Sequence, residues 1–146
     1  MKKFKTTLAA ATMSAALLTS NVTAIPAFAE TSANQPALCY ELLSVAVPSL
    51  GFVGSTAYCE TTAHADSSVT KMTMSQTLQK KGLIFWSDVD GAYWEKTVYT
   101  SDIDMADSFN VSQSGKYRVE VEITMRDSSG NTETVTVHSV EVNVTL

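Results

Sequence analysis

Apolar and polar residues alternate with a period of two along most of the chain beyond residue 40, which is the pattern of strands that bury one face. The clearest run is 117–125, where the odd-numbered residues are Tyr117, Val119, Val121, Ile123 and Met125 and the even-numbered ones are mostly charged. Shorter alternations over 57–63 and 72–78 predict two more strands with one buried face each.

The buried face is expected to switch near the C-terminus. Val135 and Val137 are odd-numbered, whereas Val140, Val142 and Val144 are even-numbered. A bulge or kink near His138 and Ser139 would re-aim the strand and keep both groups of valines inside.

Turn-forming residues divide the alternating segments. Pro, Gly, Asp, Asn and Ser at 48–51, 88–91 and 127–131 predict turns, and 83–86 is a short apolar run. Residues 75–81 continue a strand pattern, and 101–107 is expected to be a loop or a single helical turn. About seven strands separated in this way favour an all-β sandwich or barrel over parallel βαβ units.

The first 29 residues have the layout of a secretory signal peptide. Lysines at 2, 3 and 5 precede an uncharged stretch, and the segment ends in a small-x-small pattern at Ala29, so cleavage is expected before Glu30. A second cleavage option lies after Ala24. We expect domains at 1–29 (signal peptide), 30–37 (flexible polar leader) and 38–146 (β-sandwich).

Removal of the signal peptide changes the charge balance. The segment holds three of the ten basic residues and none of the fifteen acidic ones, so 117 residues with net charge −8 remain. Such a chain disfavours anionic surfaces as partners, whether nucleic acid or phospholipid. No second hydrophobic span follows, so we expect a secreted, extracellular protein with no membrane span after processing.

Cys39 and Cys59 are the two cysteines of the chain. In an oxidising compartment such a pair is a candidate disulfide. A hairpin centred near residue 49 would place the two sulfur atoms on facing positions, and two free buried thiols are the alternative. The spacing matches no zinc or redox motif, so no metal or other cofactor is expected.

Trp86 and Trp94 lie symmetrically about the predicted turn at 88–91, so they are expected to face each other across a hairpin. Their first interpretation is an aromatic core pair. The functional interpretation is an exposed platform of Trp86, Trp94 and Tyr99, with Tyr93, that stacks on a glycan or a peptide.

Carboxylates cluster on the segments expected to be loops, at Asp88, Asp90, Asp102, Asp104 and Asp107. Turn formation explains aspartates in such places, and calcium binding or hydrolysis by paired carboxylates are the alternatives. His64 and His138 lack a partner motif for nucleophilic catalysis.

Lysines form a second cluster, because Lys80 and Lys81 follow the strand at 72–78. With Lys71 and Lys96, they are interpreted as edge protection or as a partner-binding patch.

Three segments carry a resemblance to a known family: residues 70–81, the pair Trp86 and Trp94, and the strand that begins at Ser114-Gly115-Lys116-Tyr117. Together they resemble a family of small secreted proteins of Gram-positive bacteria, mostly clostridial, of uncharacterised function. The strand at Tyr117 is also similar to late strands of immunoglobulin-like bacterial surface modules. The resemblance implies a secreted immunoglobulin-like β-sandwich and carries no catalytic residues.

Three functions follow as hypotheses. The favoured one is a non-enzymatic extracellular binding module whose partner is a protein or a glycan. The alternatives are a small secreted hydrolase that uses the carboxylates of 88–107, and a secreted antimicrobial or toxin-like protein. The net charge of −8 argues against the third, because membrane-active proteins favour basic faces.

The signal-peptide prediction has a direct test. When the full chain is expressed in a Gram-positive host, we expect protein in the medium whose N-terminal residue, by mass spectrometry, is Glu30. A product that begins at Ile25 would assign cleavage to the alternative site after Ala24, and an uncleaved product would contradict the prediction.

Overall fold

The computed structural model describes residues 40–146. The predicted signal peptide, its cleavage point between Ala29 and Glu30, the leader at 30–37 and Cys39 lie outside the described residues.

The described chain forms eight strands and no helix. They are β1 (Leu43–Val53), β2 (Thr56–Ala65), β3 (Val69–Lys81), β4 (Trp86–Val98), β5 (Asp102–Asn110), β6 (Gly115–Asp127), β7 (Thr132–His138) and β8 (Val142–Val144). One sheet has the order β1-β2-β5. The other has the order β4-β3-β6-β7, and β8 pairs with the start of β6 beyond the end of β7.

All pairings are antiparallel, and the chain changes sheet between β2 and β3, between β4 and β5, and between β5 and β6. Two antiparallel sheets connected in this way are an immunoglobulin-like β-sandwich, which confirms the predicted fold class. Two separate sheets decide between the sandwich and the barrel that the spacing left open.

The predicted inner faces are confirmed. Side chains at 57, 59, 61 and 63 of β2, at 72, 74 and 78 of β3, and at 117–125 of β6 are buried wherever the alternation places them inside. The core contains Leu50, Ala57, Cys59, Ala63, Val69, Met72, Met74, Leu78, Ala92, Ile103, Met105, Val111, Tyr117, Val119, Val121, Ile123, Met125, Val135, Val137 and Val144.

The predicted change of face after β7 is also confirmed. The strand ends at His138, and Ser139 takes its place beside β6: its N–H donates to the Val119 carbonyl, and its Oγ accepts from the Val119 N–H, both at 2.9 Å. The interruption lets Val137 before it and Val144 after it both reach the core. One serine therefore satisfies the backbone of β6 where the regular ladder stops.

Two expectations about local structure are wrong. Residues 48–51 lie inside β1, and the chain turns at Gly54 and Ser55, where Gly54 has φ +58° as a two-residue hairpin turn requires. Residues 102–107 form strand β5, whose Ile103 and Met105 are buried between exposed aspartates. The aspartates resemble a loop in composition, yet Asp102 and Asp104 occupy the outer face of a strand, and Asp107 faces inward toward Gln76.

The hairpin between β3 and β4 also differs from the prediction. Its turn is formed by the apolar run, at 82–85, whereas 88–91 lies inside β4. Thr77 pairs with Tyr93 and Gln79 with Asp88, so residues 89–92 form a bulge opposite Leu78, with Gly91 at φ +80°. The segment predicted to turn therefore lies largely in a bulge of β4, and the apolar segment forms the turn.

A tyrosine fixes the entry into β6. The hydroxyl of the buried Tyr117 donates to the carbonyl of Gln113, four residues upstream, at 2.6 Å. This arrangement is the tyrosine corner of immunoglobulin-like sandwiches. The Tyr117 ring also packs against Phe52 of β1, with ring centroids 5.5 Å apart, so it connects the two sheets.

A buried polar bridge joins the sheets at their centre. Gln76 of β3 is fully buried, and its Oε1 accepts from the Thr61 hydroxyl of β2 at 2.7 Å. Its Nε2 donates to the Asp107 carboxylate of β5 at 3.0 Å and to the Cys59 carbonyl at 3.5 Å. Within 40–146 no buried side-chain nitrogen or oxygen lacks a partner. Gln76 therefore positions β3 over both β2 and β5.

Gln76→Ala should lower the free energy of unfolding by about 2–4 kcal/mol, because it leaves a cavity and removes the partners of Thr61 and Asp107. Urea denaturation followed by circular dichroism measures the change. Ser75→Ala, on the opposite face of β3, is the matched control and should cost less than about 0.5 kcal/mol. Equal losses for both variants would contradict a bridging role.

Candidate binding surface

Three consecutive, strongly exposed apolar residues lie at the turn between β3 and β4. Leu83, Ile84 and Phe85 are 104%, 77% and 75% exposed, and we call them the hairpin tip. Three consecutive large apolar side chains in water are unusual in a protein domain, because such patches normally mark a site of interaction. The tip is therefore the first candidate for a binding surface.

The geometry of the hairpin keeps the tip exposed. Lys81 pairs with Trp86, and the Gly82 N–H donates to the Phe85 carbonyl at 2.8 Å, which closes the turn. The paired strands end at this point, so the side chains of the tip extend past the end of the sheet. The turn is fixed by its backbone hydrogen bond, while its side chains have no core to enter.

Trp86 lies directly behind the tip, on the outer face of the larger sheet. Its half-buried ring is covered by two cations: the Arg118 guanidinium carbon is 4.4 Å from the ring centroid, and the Lys81 Nζ is 5.5 Å from it. Such distances allow cation–π attraction. Arg118 is held in place by its Nε, which donates to the Gln79 Oε1 at 2.9 Å.

Lys81, Lys116 and Arg118 form a group that we call the basic collar. All three cations act on the nearby Glu141, whose pKa is lowered. The chief cause is a hydrogen bond that the Lys116 side chain donates to the Glu141 carboxylate, and the positive charges of Lys116, Lys81 and Arg118 lower this pKa further. The Lys116 Nζ lies 2.8 Å from the Glu141 carboxylate. The collar thus lies at the base of the hairpin tip, on the outer face of the larger sheet.

The lysine cluster expected from the sequence is divided by the fold. Lys80 and Lys81 lie at the end that carries the tip, and the Lys80 Nζ donates to the Gln113 side chain. Lys71 lies near the Tyr99 ring, at the other end of β3. Lys96 donates to the Asp104 carbonyl of β5 at 2.7 Å. Lys116 and Arg118 of β6, which the sequence analysis did not single out, take the places beside the tip.

An open cleft of about 550 Å³ lies beside the tip, between the β3–β4 hairpin and the connection from β5 to β6. Lys80, Asp88, Asp90 and Tyr117 are among the residues that line it. The Asp88 carboxylate accepts from the Gln79 Nε2 at 2.9 Å, so this aspartate also supports the bulged strand.

The candidate aromatic residues do not form one platform. Trp86 and Trp94 lie on the same strand, β4, and therefore do not face each other across a hairpin. Trp94 is half-buried and packs against the core, whereas Tyr99 is 79% exposed beyond the other end of β4. The register places Trp86 and Val98 nine positions of β3 apart, roughly 30 Å. Of the three, Trp86 is the one beside the hairpin tip.

The five aspartates are distributed over two strands. Asp88 and Asp90 line the cleft, while Asp102, Asp104 and Asp107 lie on β5, where Asp107 accepts from Gln76. Among residues 40–146, no group of three or more histidine, cysteine, aspartate or glutamate side chains could hold a metal ion.

Both histidines pair with carboxylates on a neighbouring strand. His64 Nδ1 contacts the Asp102 carboxylate at an exposed position, and His138 Nε2 lies 2.9 Å from the Glu120 carboxylate. Each pair connects two adjacent strands across the outer face of a sheet.

Cys59 is a free, buried thiol in the structure. The β1–β2 register places Leu50, not a residue near 39, opposite Cys59, and β1 begins at Leu43 opposite Ala65. The hairpin therefore lacks the facing positions on which the predicted disulfide to Cys39 was based. Burial, with the negative charge of Asp107 as a second cause, raises the pKa of the Cys59 thiol to about 12.

No protein-family model, curated protein or solved structure matches the chain. In the part of the chain that the structure describes, no helix is long and apolar enough to cross a membrane. The resemblance to small secreted clostridial proteins stays a prediction.

The sequence analysis noted the apolar run at 83–86 but did not identify it as a surface. One signal could have done so: Lys80-Lys81-Gly82 places two charges and a turn residue immediately before the run, and an apolar segment after them fits a hairpin turn. The cations on β6 join the site through strand pairing, which no local sequence pattern reveals.

Cys59 should resist iodoacetamide in the folded protein at mildly alkaline pH and react once urea unfolds the chain, because its buried thiol stays protonated. Peptide mass mapping separates Cys59 from Cys39. Asp107→Asn removes the smaller cause of the raised pKa and should leave Cys59 protected. Rapid modification in the native state would contradict this prediction, and a Cys39–Cys59 peptide under non-reducing conditions would establish the predicted disulfide instead.

Proposed function

We propose that the protein is a small, secreted, non-enzymatic binding module that contacts its extracellular target through the hairpin tip. The exposure of Leu83, Ile84 and Phe85 carries this proposal. Burial of a large apolar side chain contributes about 1.5–3 kcal/mol, and the isolated domain leaves that contribution unused at three adjacent positions. A target that covers the tip would gain it.

The fold supports this use of the tip. β3 pairs with β4 on one side and with β6 on the other, so the strand that leads into the turn is anchored on both edges. Binding residues are commonly presented on loops that a rigid framework positions. Because the turn is already formed, little conformational entropy is lost when the tip binds.

The hydrolase alternative has one observation in its favour. Asp88 and Asp90 line the same cleft, and paired-carboxylate chemistry needs two carboxyl groups that share one concave site. Asp88→Asn with Asp90→Asn separates the two functions: this variant would abolish hydrolysis of a glycan and leave binding through the tip intact.

The proposed function is tested by replacing the tip. A variant with Leu83→Ser, Ile84→Ser and Phe85→Ser should retain its melting temperature, since all three side chains are exposed. It should bind its target at least about tenfold more weakly, because the apolar contact is lost. Retention of immobilised protein on a defined panel of cell-wall glycans, extracellular proteins and lipid vesicles measures this.

The matched control is Val45→Thr with Val47→Thr, which changes exposed apolar residues in the first half of β1 and keeps their strand propensity. This variant should bind as the unmodified protein does. If the tip variant and the unmodified protein are retained equally on every member of the panel, or if neither is retained, the proposed function is wrong.

A further inference from the structure

We infer that the target of the hairpin tip is the surface of a phospholipid bilayer, into which Leu83, Ile84 and Phe85 insert while the basic collar meets the lipid phosphates. This inference rests on the proposed function and names the partner of the same site.

The order of side chains along the hairpin matches the order of layers in a bilayer. The outermost residues are apolar, Trp86 comes next, and the cations of the collar lie beside and behind it. Tryptophan favours the interface between hydrocarbon and headgroups. Lysine and arginine extend their charged ends to the phosphate level while their apolar stems stay in contact with hydrocarbon.

The size of the tip matches a shallow insertion. Because these three residues form a closed turn, the tip extends past the sheet by little more than the length of its side chains. Segments that bind at the membrane interface enter the boundary between headgroups and acyl chains by about 5–10 Å. The backbone of the turn need not enter the hydrocarbon unpaired, since the Gly82 N–H already donates to the Phe85 carbonyl.

The charge distribution sets the orientation toward an anionic membrane. Of the seven Lys and Arg residues in 40–146, four lie at the end that carries the tip: Lys80, Lys81, Lys116 and Arg118. Four carboxylates balance them, namely Asp88, Asp90, Glu120 and Glu141. The remaining described residues hold three cations and ten acids. The tip end therefore avoids the repulsion that an anionic surface exerts on the rest of the domain.

A second copy of the chain is a poorer occupant for the same surface. Two tips that met end to end would remove the charged side chains around both tips from water, which costs free energy unless each finds a new partner. A phospholipid bilayer, in contrast, offers phosphates to the collar and acyl chains to the apolar tip at the same time.

The test is co-sedimentation of the protein, purified in its secreted and processed form, with vesicles of phosphatidylcholine containing phosphatidylglycerol. The unmodified protein and the Val45→Thr, Val47→Thr control should bind, whereas the Leu83→Ser, Ile84→Ser, Phe85→Ser variant should bind at least about tenfold more weakly. All variants carry the same N-terminal segment, so differences between them report the tip. Lys81→Glu should weaken binding more than Lys71→Glu, which changes a cation at the opposite end of β3.

Depth is measured with brominated lipids, which quench tryptophan fluorescence inside the membrane. Trp94→Phe leaves Trp86 as the reporter and should be quenched. Trp86→Phe leaves Trp94, which packs against the core, and should not be quenched.

The possible outcomes separate this inference from the proposed function. Equal sedimentation of the tip variant and the unmodified protein, or no sedimentation, overturns the bilayer as partner. If tip-dependent retention is then found on a defined glycan or extracellular protein, the proposed function stands and the bilayer inference alone is rejected. If no target depends on the tip, both are rejected.

Discussion

The structure depends on one constraint: the two sheets must exclude water from the surface between them. β3 and β6 supply the larger sheet's central inner face, and their buried residues alternate without a break on β6. Because the side-chain period of a strand is two, a shift of one residue in either strand would expose that whole face. The register of the sandwich is therefore set by burial. Gln76 also helps to set how the two sheets lie on each other, since the hydrogen bonds of its amide form only where β2 and β5 lie opposite it.

The hairpin tip is the exception to this constraint. Along β2 and β6 the chain places alternate residues inside and outside, whereas Leu83, Ile84 and Phe85 follow one another at a turn where no second sheet covers them. Departures from the general pattern are expected at functional sites. A stable sandwich can tolerate an exposed apolar turn at its end, because the core that holds it together does not include that turn.

The basic collar and the apolar hairpin tip lie at the same end of the domain. The collar residues come from two strands, β3 and β6, which run side by side, and Trp86 joins them through its ring. Most of the acidic residues lie elsewhere on the domain. A net negative charge therefore coexists with one end that can meet an anionic surface. The net charge argues against a membrane partner only as an average over the molecule. The local charge at the tip end depends on where the charged residues lie.

The two-residue period predicts the all-β class, the inner faces of β2, β3 and β6, and the change of face near Ser139, because this period is a local property that burial selects. The prediction failed where one composition fits two structures: Asp102 and Asp104 fit a loop or the outer face of β5, and the residues at 88–91 fit a turn or a bulge. Only the tertiary structure decided which residues share the site. Lys81 and Trp86 are brought beside Lys116 and Arg118 by the pairing of β3 with both β4 and β6. The pairing of strands depends on the packing of the whole sandwich, so the local sequence of one strand does not show which distant strand lies beside it.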